Sequence, residues 1–303
     1  KKGLVFSPNG AGGWMKTHAQ VPTPLVCDDV IRVYFSSRPR PNLSLTSFVD
    51  LDIDDPSKIV RLHSDPLLEP GKPGTFDEHG IMPSAAIRDG NKVFLYYSGW
   101  SRSASVPYIN STGLAISEDG GETFTKISAG PILSRSLHDP YSATSPTVLR
   151  EGDDWHMWYG SGTGWLDVEG KQEHVYDIRY AHSGDGINWT PTQEPAICQR
   201  TDYEAITRPA VLKIAERYNM WFCYRGSRDF RDGETAYRIG YASSDDMKRW
   251  SRDDPQSGID PSEDGWDSKM IAYPAVVVAN GRTLMFYNGN GFGVEGFGYA
   301  VLS

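Results

Sequence analysis

Hydrophobic and aromatic residues recur along the chain in short runs separated by turn-forming residues, and one such arrangement occurs five times. Each copy starts with a proline, continues as a short apolar strand and a turn, and leads into a second strand rich in aromatic residues. Short apolar runs bounded by Gly, Asp and Asn are typical of β-strands, and no helical periodicity competes with them. The copies are Pro24 (PLVCDDVIRVYFSSR), Pro83 (PSAAIRDGNKVFLYYSGW), Pro146 (PTVLREGDDWHMWYGSG), Pro209 (PAVLKIAERYNMWFCYRGS) and Pro274 (PAVVVANGRTLMFYNGN).

The spacing of these prolines predicts the architecture. Their intervals are 59, 63, 63 and 65 residues, so five units fill the chain without a linker. Four strands in each of five units predict an all-β fold, a five-bladed β-propeller with antiparallel strands, in a single domain that covers residues 1–303. The last unit ends after its third strand. Residues 3–7 (GLVFS) are therefore expected to supply its fourth strand and to close the ring.

Turn motifs follow the third strand of three units, in TGLAISEDGGETF, DIRYAHSGDGINW and YRIGYASSDDMKRW. The first contains S-x-D-x-G-x-T-F and resembles the Asp-box of sialidase-type propellers. Asp119, Asp185 and Asp245 are expected on the turns between third and fourth strands, because Asp tolerates turn conformations and accepts bonds from its own backbone. A structural role is expected for all three.

Charge and hydropathy narrow the functional classes. The net charge of −9 argues against nucleic acid or an anionic membrane as a partner, since such binders carry a basic surface. No apolar run of 18 residues predicts a membrane span, and the initial KKGLVF lacks the apolar stretch of a signal peptide, so the cytoplasm is the expected location. The three scattered cysteines lack the spacing of a disulfide framework or a zinc site. The oligomeric state has no sequence signal.

Two places in each unit meet at one end of a propeller, namely the start of the inner strand and the end of the antiparallel second strand. The sequence concentrates polar, charged and aromatic residues at both places. We therefore expect a site for a carbohydrate or another sugar-containing small molecule in the central funnel. The candidate binding residues are His18, Gln20, Arg38, Asp77, His79, Trp100, Tyr141, Arg208, Arg225, Asp267, Lys269 and Asn288.

Glu78 and Glu204 are candidates for acid–base catalysis. Both stand five residues before the proline of their unit, so they occupy equivalent positions in the second and fourth units. Such positions face each other across a channel, and cleavage of a glycosidic bond needs two carboxyl groups, of which one is protonated. The structural alternative is an ion pair of either glutamate with Arg208 or Lys269.

Asp139 is the third catalytic candidate. It stands seven residues before its proline, as Asp202 and Asp267 do, and a feature repeated in three units favours a scaffold role. His18 and His79 have a structural alternative as satisfied histidines.

The repeat resembles the five-bladed propeller glycosidases of glycoside hydrolase families 43, 32, 62, 117 and 130. The run GWDSKMIAYPAVVV…MFYNGNGFGVEGFGYAVL is most similar to uncharacterised glycosidase-like propellers associated with bacterial surface-polysaccharide synthesis. The resemblance to family 43 implies a base Asp on the first blade, a pKa-modulating Asp on the third and an acid Glu on the fourth. Asp139 and Glu204 match the last two. The first blade offers His18 and Gln20 instead, so Glu78 is the candidate base.

Three functions remain open at this point. The first is a glycoside hydrolase with Glu204 as acid and Glu78 as base. The second is a phosphorylase or a transferase acting on an anionic donor, because the resemblance to family 130 implies phosphate held by basic residues, here Arg38, Arg208, Arg225 and Lys269. The third is a non-catalytic sugar-binding propeller. No cofactor is expected. Calcium in the pore is compatible with the resemblance, although no ligand cluster requires it.

Overall fold

The computed structural model describes residues 1–9, 11–231 and 233–302, and within them nearly all regular structure is β-strand. Four antiparallel meanders follow one another. The first contains β2 (Thr17–Cys27), β3 (Val30–Arg40), β4 (Leu43–Asp52) and β5 (Ile59–Leu62). The second contains β6 (Gly80–Asp89), β7 (Lys92–Ser101), β8 (Ile109–Ser117) and β9 (Thr125–Lys126). The third contains β10 (Ala143–Glu151), β11 (Asp154–Val168), β12 (Lys171–Ser183) and β13 (Thr190–Ile197). The fourth contains β14 (Ala205–Ile214), β15 (Arg217–Arg225), β16 (Arg238–Ser244) and β17 (Ser251–Arg252).

The fifth meander is completed from the other end of the sequence. It contains β18 (Ala272–Ala279), β19 (Arg282–Asn288) and β20 (Phe297–Leu302), and β1 (Gly3–Phe6) pairs with β20 as its fourth strand. A 3-10 turn at Asp254–Ser257 and a short helical turn, α1 (Asn290–Gly293), lie between strands. The first two meanders share one eight-stranded sheet, because Ser44 of β4 pairs with Gly80 of β6.

The inner strands β2, β6, β10, β14 and β18 contact one another in that order, and β18 contacts β2. The hydrophobic core is divided accordingly into clusters between neighbouring meanders. One cluster packs Tyr96 of the second meander against Trp155 and Tyr159 of the third. Another packs Phe286 of the fifth against Phe35 of the first. The last and first meanders are therefore joined by the same kind of packing as the others.

An aromatic pair on each second strand explains this division. Adjacent residues of a strand point to opposite faces, so one ring of each pair enters the cluster with the preceding meander and the other enters the cluster with the following one. Burying a large apolar side chain contributes about 1.5–3 kcal/mol to the free energy of folding, so each pair stabilises the packing of its meander against both neighbours. They are Tyr34–Phe35, Tyr96–Tyr97, Trp158–Tyr159, Trp221–Phe222 and Phe286–Tyr287.

The turns between third and fourth strands are held by a serine and an aspartate two residues later. Asp119 accepts bonds from Ser117 Oγ and from the backbone N–H groups of Glu122 and Thr123. Asp185 makes the same contacts after Ser183. The third motif corrects the sequence expectation, because the aspartate in this role is Asp246 and the Asp245 side chain is 89% exposed.

Replacement of Asp119 by Ala is expected to lower the melting temperature by about 2–4 °C, the change that follows from losing ~1 kcal/mol of hydrogen bonding. Ligand binding in the central pocket should be unchanged, because the turn lies at the other end of its strand. Asp245→Ala is the matched control and should leave the melting temperature unchanged. Equal melting temperatures for both variants would contradict the role given to Asp119.

Candidate functional site

A pocket of about 360 Å³ lies where the inner strands begin, and residues from all five meanders line it. Its wall combines aromatic rings with amide and hydroxyl groups, which is typical of small-ligand sites. The lining residues are Gln20, Val21, Arg38, Asn42, Leu43, Ser44, Met82, Trp100, Pro107, Tyr108, Asn110, Thr144, Ser145, Tyr176, Thr207, Tyr237 and Tyr273.

The pocket floor is built by an irregularity repeated in each inner strand at its proline. Val21, Ser145, Arg208 and Tyr273 each precede that proline and have φ of 53°, 52°, 55° and 56°. Positive φ is unfavourable for residues other than Gly and clusters at functional sites. In the first meander this residue is Val21, so the equivalent proline is Pro22 and not the Pro24 used to align the sequence repeats.

One side of the pocket is cationic. Arg38 donates from Nε and Nη2 to Gln20 Oε1, at 3.1 and 2.9 Å. Among the described residues, Arg38 is the one charged residue that lines the pocket, and it forms no ion pair with a carboxylate. Burial lowers the pKa of the neighbouring His18 to about 4, with a further contribution from Arg38, so this imidazole is neutral at physiological pH. The guanidinium therefore carries the local charge.

Arg208 lies beneath the floor and spans the channel. It extends from the fourth meander and donates to the Ser84 carbonyl of the second, and to the Pro22 carbonyl and Thr23 Oγ1 of the first, at 3.2 and 2.9 Å. The side chain is buried, and its Nε has no partner among the described groups. Burial lowers its pKa to about 10, which still leaves it charged near neutral pH.

Arg225 is a second buried guanidinium, at the edge of the pocket. It donates to the hydroxyls of Tyr176 and Tyr237, both at 3.3 Å, and to the His174 carbonyl at 2.8 Å. The two tyrosine hydroxyls lie 3.2 Å apart and belong to the pocket wall. Burial, together with the Arg225 charge, lowers the pKa of His174 to about 3. In the described part of the chain no carboxylate pairs with Arg225, and the pocket therefore has an excess of positive charge.

The proposed acid Glu204 lies outside this pocket. Its carboxylate accepts two bonds from Arg252, at 2.9 and 2.6 Å, and one from the backbone N–H of Arg200. Arg252 also pairs with Asp254. Both carboxylate oxygens of Glu204 are thus bonded to groups away from the pocket, and the ion-pair partner is Arg252, not the Arg208 or Lys269 considered from the sequence.

Glu78 and His79 belong to a loop before β6. Glu78 accepts a bond from the Gly74 N–H at 2.8 Å and lies 3.4 Å from His79 Nδ1. The His79 ring packs beside Trp100, with centroids 5.7 Å apart. Trp100 lines the pocket, but neither Glu78 nor His79 does. Neither candidate glutamate therefore lines this pocket.

The predicted aspartates are scaffold. Asp139 is fully buried and accepts from the Tyr159 hydroxyl at 3.0 Å. Asp77 accepts in the same way from Tyr97, at 3.1 Å. In the fifth meander, Asp267 accepts from the Tyr287 hydroxyl at 2.9 Å and pairs with Lys1. Each aspartate fixes the loop before an inner strand to the second strand of the same meander.

The remaining predicted residues divide between scaffold and rim. Asn288 is fully buried and bonds the Val21 N–H and the Ala19 carbonyl, so it supports the floor without lining it. Lys269 is exposed, and Tyr141 is 42% exposed at the rim. Of the predicted residues, Gln20, Arg38 and Trp100 line the pocket, and Arg208 and Arg225 lie directly behind it.

The sequence expectation missed most of the wall. Thr144, Ser145, Thr207 and Tyr273 occupy the two positions before the inner-strand proline, and that position was the available signal. Tyr108 comes from the loop after β7, and its ring packs edge-on against Trp165 at 5.2 Å. That loop does not belong to the repeated sequence pattern. The sequence therefore could not predict that Tyr108 lines the pocket.

Neither a metal centre nor a membrane span is found in the described part of the chain. No group of three His, Cys, Asp or Glu side chains among these residues is arranged to hold a metal ion. No helix in the described ranges has the length and apolar character needed to cross a bilayer. Cys27, Cys198 and Cys223 are free thiols.

Glu204→Gln is expected to lower the melting temperature, because it breaks a nearly buried pair with Arg252 and leaves that cation partly uncompensated. Ligand affinity and any turnover should stay within a few-fold of wild type, because the carboxylate lies outside the pocket. Thermal unfolding and turnover of the purified variant check this. A hundredfold loss of turnover in a stable variant would restore Glu204 to the mechanism.

No family model matches the chain. It is 39% identical over 304 residues to the uncharacterized protein Rv1502 of Mycobacterium tuberculosis, covering 100% of this chain and 98% of that protein. It is 30% identical over 136 residues to a β-1,2-mannobiose phosphorylase of Thermoanaerobacter, over 42% of this chain and 44% of the phosphorylase.

Similar solved structures are β-propeller glycosidases that include glycoside hydrolases of families 43 and 32. A thermostable family-43 glycoside hydrolase superimposes with a TM-score of 0.71 at 17% identity, over 98% of this chain and 93% of that one. The resemblance expected from the sequence is confirmed at the level of the fold. The chain has the β-propeller fold of these glycosidases and belongs to the family of the Mycobacterium tuberculosis protein Rv1502.

Proposed function

We propose that this protein is a carbohydrate-active enzyme that uses phosphate, forming or cleaving the bond between a sugar's anomeric carbon and a phosphate oxygen. The observation that carries the proposal is the charge of the pocket. Arg38 lines it, Arg208 and Arg225 lie behind it, and none of the three is paired with a carboxylate among the described residues. A phosphate monoester or inorganic phosphate supplies the missing negative charge, and guanidinium groups bind such anions strongly.

The reaction balances without a carboxylic acid from the protein. Hydrogen phosphate attacks the anomeric carbon, the glycosidic C–O bond breaks, and the proton of the phosphate passes to the departing sugar oxygen. In the opposite direction, phosphate leaves as an anion held by Arg38, and the proton of the acceptor hydroxyl passes to it. Positive charge stabilises the phosphate in both directions. Hydrolysis instead needs two positioned carboxyl groups. None of the described residues that line the pocket has a carboxyl group.

The similarity to a β-1,2-mannobiose phosphorylase supports this reaction class, although it spans less than half of either chain. The glycosidase neighbours support a sugar as the other substrate. The five meanders, whose inner strands contact one another in a closed order, are the five blades that we infer for a single domain over residues 1–303.

The test is a glycan and glycosyl-phosphate screen with purified wild-type protein, with and without inorganic phosphate. β-1,2-Mannobiose and α-D-mannose 1-phosphate are included because of the phosphorylase similarity. We expect release of a sugar phosphate that depends on phosphate, or release of phosphate when a glycosyl phosphate and an acceptor sugar are supplied together. Cleavage at the same rate without phosphate would replace this proposal with hydrolysis.

A further inference from the structure

Two polar atoms of residues that line the pocket lack hydrogen-bond partners in the described part of the chain. Asn110 Oδ1 and Thr144 Oγ1 are buried and have no hydrogen-bond partner among the described groups. Both residues line the pocket, and Thr144 is only 4% exposed. Buried polar atoms are nearly always paired, and an unpaired one costs about 1–3 kcal/mol, so a pocket residue with an unpaired atom gains a partner when its side chain turns toward a bound ligand.

These groups lie on one side of the pocket. Asn110 belongs to the second meander and Thr144 to the third, whereas Arg38 and Gln20 belong to the first. Trp100 of the second meander donates its indole N–H to Ser44 of the first at 2.8 Å. The charged residue of the wall, Arg38, thus lies at the first meander. The part of the wall formed by Asn110 and Thr144 carries no charged side chain of its own and is called the neutral end, although the Arg225 guanidinium lies behind Tyr176 of the third meander.

We propose that Asn110 and Thr144 are the residues that select the sugar, by accepting hydrogen bonds from its hydroxyl groups at the neutral end of the pocket. The inference rests on the proposed function for the identity of the ligand as a sugar, and it goes beyond that function by naming the specificity residues. A hydroxyl-rich ring satisfies several acceptors at once, whereas phosphate, which offers mainly acceptors, belongs at Arg38.

The Thr144 side chain can reach the ligand by one rotation about χ1, between staggered positions. Asn110 presents an oxygen or a nitrogen according to the orientation of its amide. A site built on such groups rejects sugars that lack a hydroxyl at the matching position, because the acceptors then stay unpaired.

The test uses isosteric variants that remove the unpaired atoms. Thr144→Val deletes the hydroxyl and keeps the shape, and Asn110→Leu removes the amide at similar size. If these groups form hydrogen bonds only with a bound ligand, each variant keeps or raises the melting temperature of the free protein, because the substitution removes an unsatisfied buried group. Affinity for the sugar that the wild type binds falls roughly fivefold to tenfold for each variant, measured by calorimetry.

The probes are D-mannose, D-glucose, D-galactose and N-acetyl-D-glucosamine, titrated without phosphate. Ser161→Ala is the matched control, because Ser161 Oγ is also buried and unpaired but does not line the pocket. It should keep or raise the melting temperature for the same reason and leave the affinity unchanged. Thr112→Val removes a hydroxyl that donates to the Ala143 carbonyl at 3.0 Å, and it should lower stability without changing affinity.

Unchanged sugar affinity in both Thr144→Val and Asn110→Leu would overturn the inference, as would a wild type that binds none of the four sugars. A lower melting temperature for both variants, without loss of affinity, would assign these residues to the scaffold. Sugar binding that depends on Thr144, in a protein whose turnover does not respond to phosphate, would uphold the inference while the proposed function fails.

Discussion

Replacing Arg38 by Gln is expected to reduce phosphate-dependent turnover by at least about a hundredfold, the usual effect of removing one fixed donor from a developing or departing anion. Arg38 lines the pocket and bonds only the amide oxygen of Gln20 among the described residues. Its charge is therefore available to a ligand. The free energy of unfolding should fall by only about 1 kcal/mol, because the Oε1 of the buried Gln20 loses its donor but no carboxylate loses a partner.

The effect should divide between kinetic parameters in a defined way. If Arg38 contacts the anion equally in the ground state and the transition state, its loss raises KM for phosphate. If the contact strengthens as charge develops, its loss lowers kcat. Arg217→Gln makes the same charge change at the opposite end of the fourth meander, where Arg217 lies 3.8 Å from Asp245, and is the matched control. Equal turnover in both variants would show that the phosphate is not held at Arg38, or is not used.

Arg208→Ala is expected to destabilise the protein by roughly 3 kcal/mol or more. Three acceptors, the carbonyls of Ser84 and Pro22 and the Thr23 hydroxyl, lose their donor, and each buried unsatisfied group costs about 1–3 kcal/mol. Loss of a poorly compensated buried charge offsets part of this cost. The melting temperature should fall by about 6–12 °C at ~2–4 °C for each kcal/mol.

Chemical denaturation measures the free energy directly. Arg282→Ala is the control, because Arg282 is only partly buried and donates to one carbonyl, that of Ile53. It should cost about 1 kcal/mol. If Arg208→Ala lowers the free energy of unfolding no more than the control does, then the acceptors find other partners and the Arg208 side chain does not stabilise the fold.

Much of the fold could be predicted from the sequence, because the repeat and the core share one cause. The aromatic pairs, such as Trp158–Tyr159 and Trp221–Phe222, recur at the same place in each unit because each covers both faces of its strand. In the first unit, the alignment of the sequence repeats was wrong by two residues, because it used Pro24 in place of Pro22. The first unit contains two prolines, and only the backbone irregularity at Val21 distinguishes Pro22 as the equivalent one.

The candidate carboxylates could not be assigned from the sequence, because ion pairing depends on strands far apart in the chain. The Arg252 partner of Glu204 lies 48 residues away, on the fourth strand. The scaffold role of Asp139 did have a signal, namely a tyrosine 20 residues later. The same spacing joins Asp77 to Tyr97 and Asp267 to Tyr287. The fourth unit has Phe222 at that spacing from Asp202, so it lacks the hydroxyl.

The pairing of β1 with β20 has a consequence for the order of folding. Gly3 pairs with Tyr299, so the last core cluster and the pocket floor depend on a contact that spans nearly the whole sequence. Closing so long a loop costs little more free energy than closing one half its length, but contacts of high sequence separation form slowly. Until β1 docks, β20 presents an unpaired strand edge, which is a site for association with other chains. The ring is thus at greatest risk of aggregation just before it closes, and substitutions that weaken the β1 pairing should reduce the yield of refolding more than the stability of the finished protein.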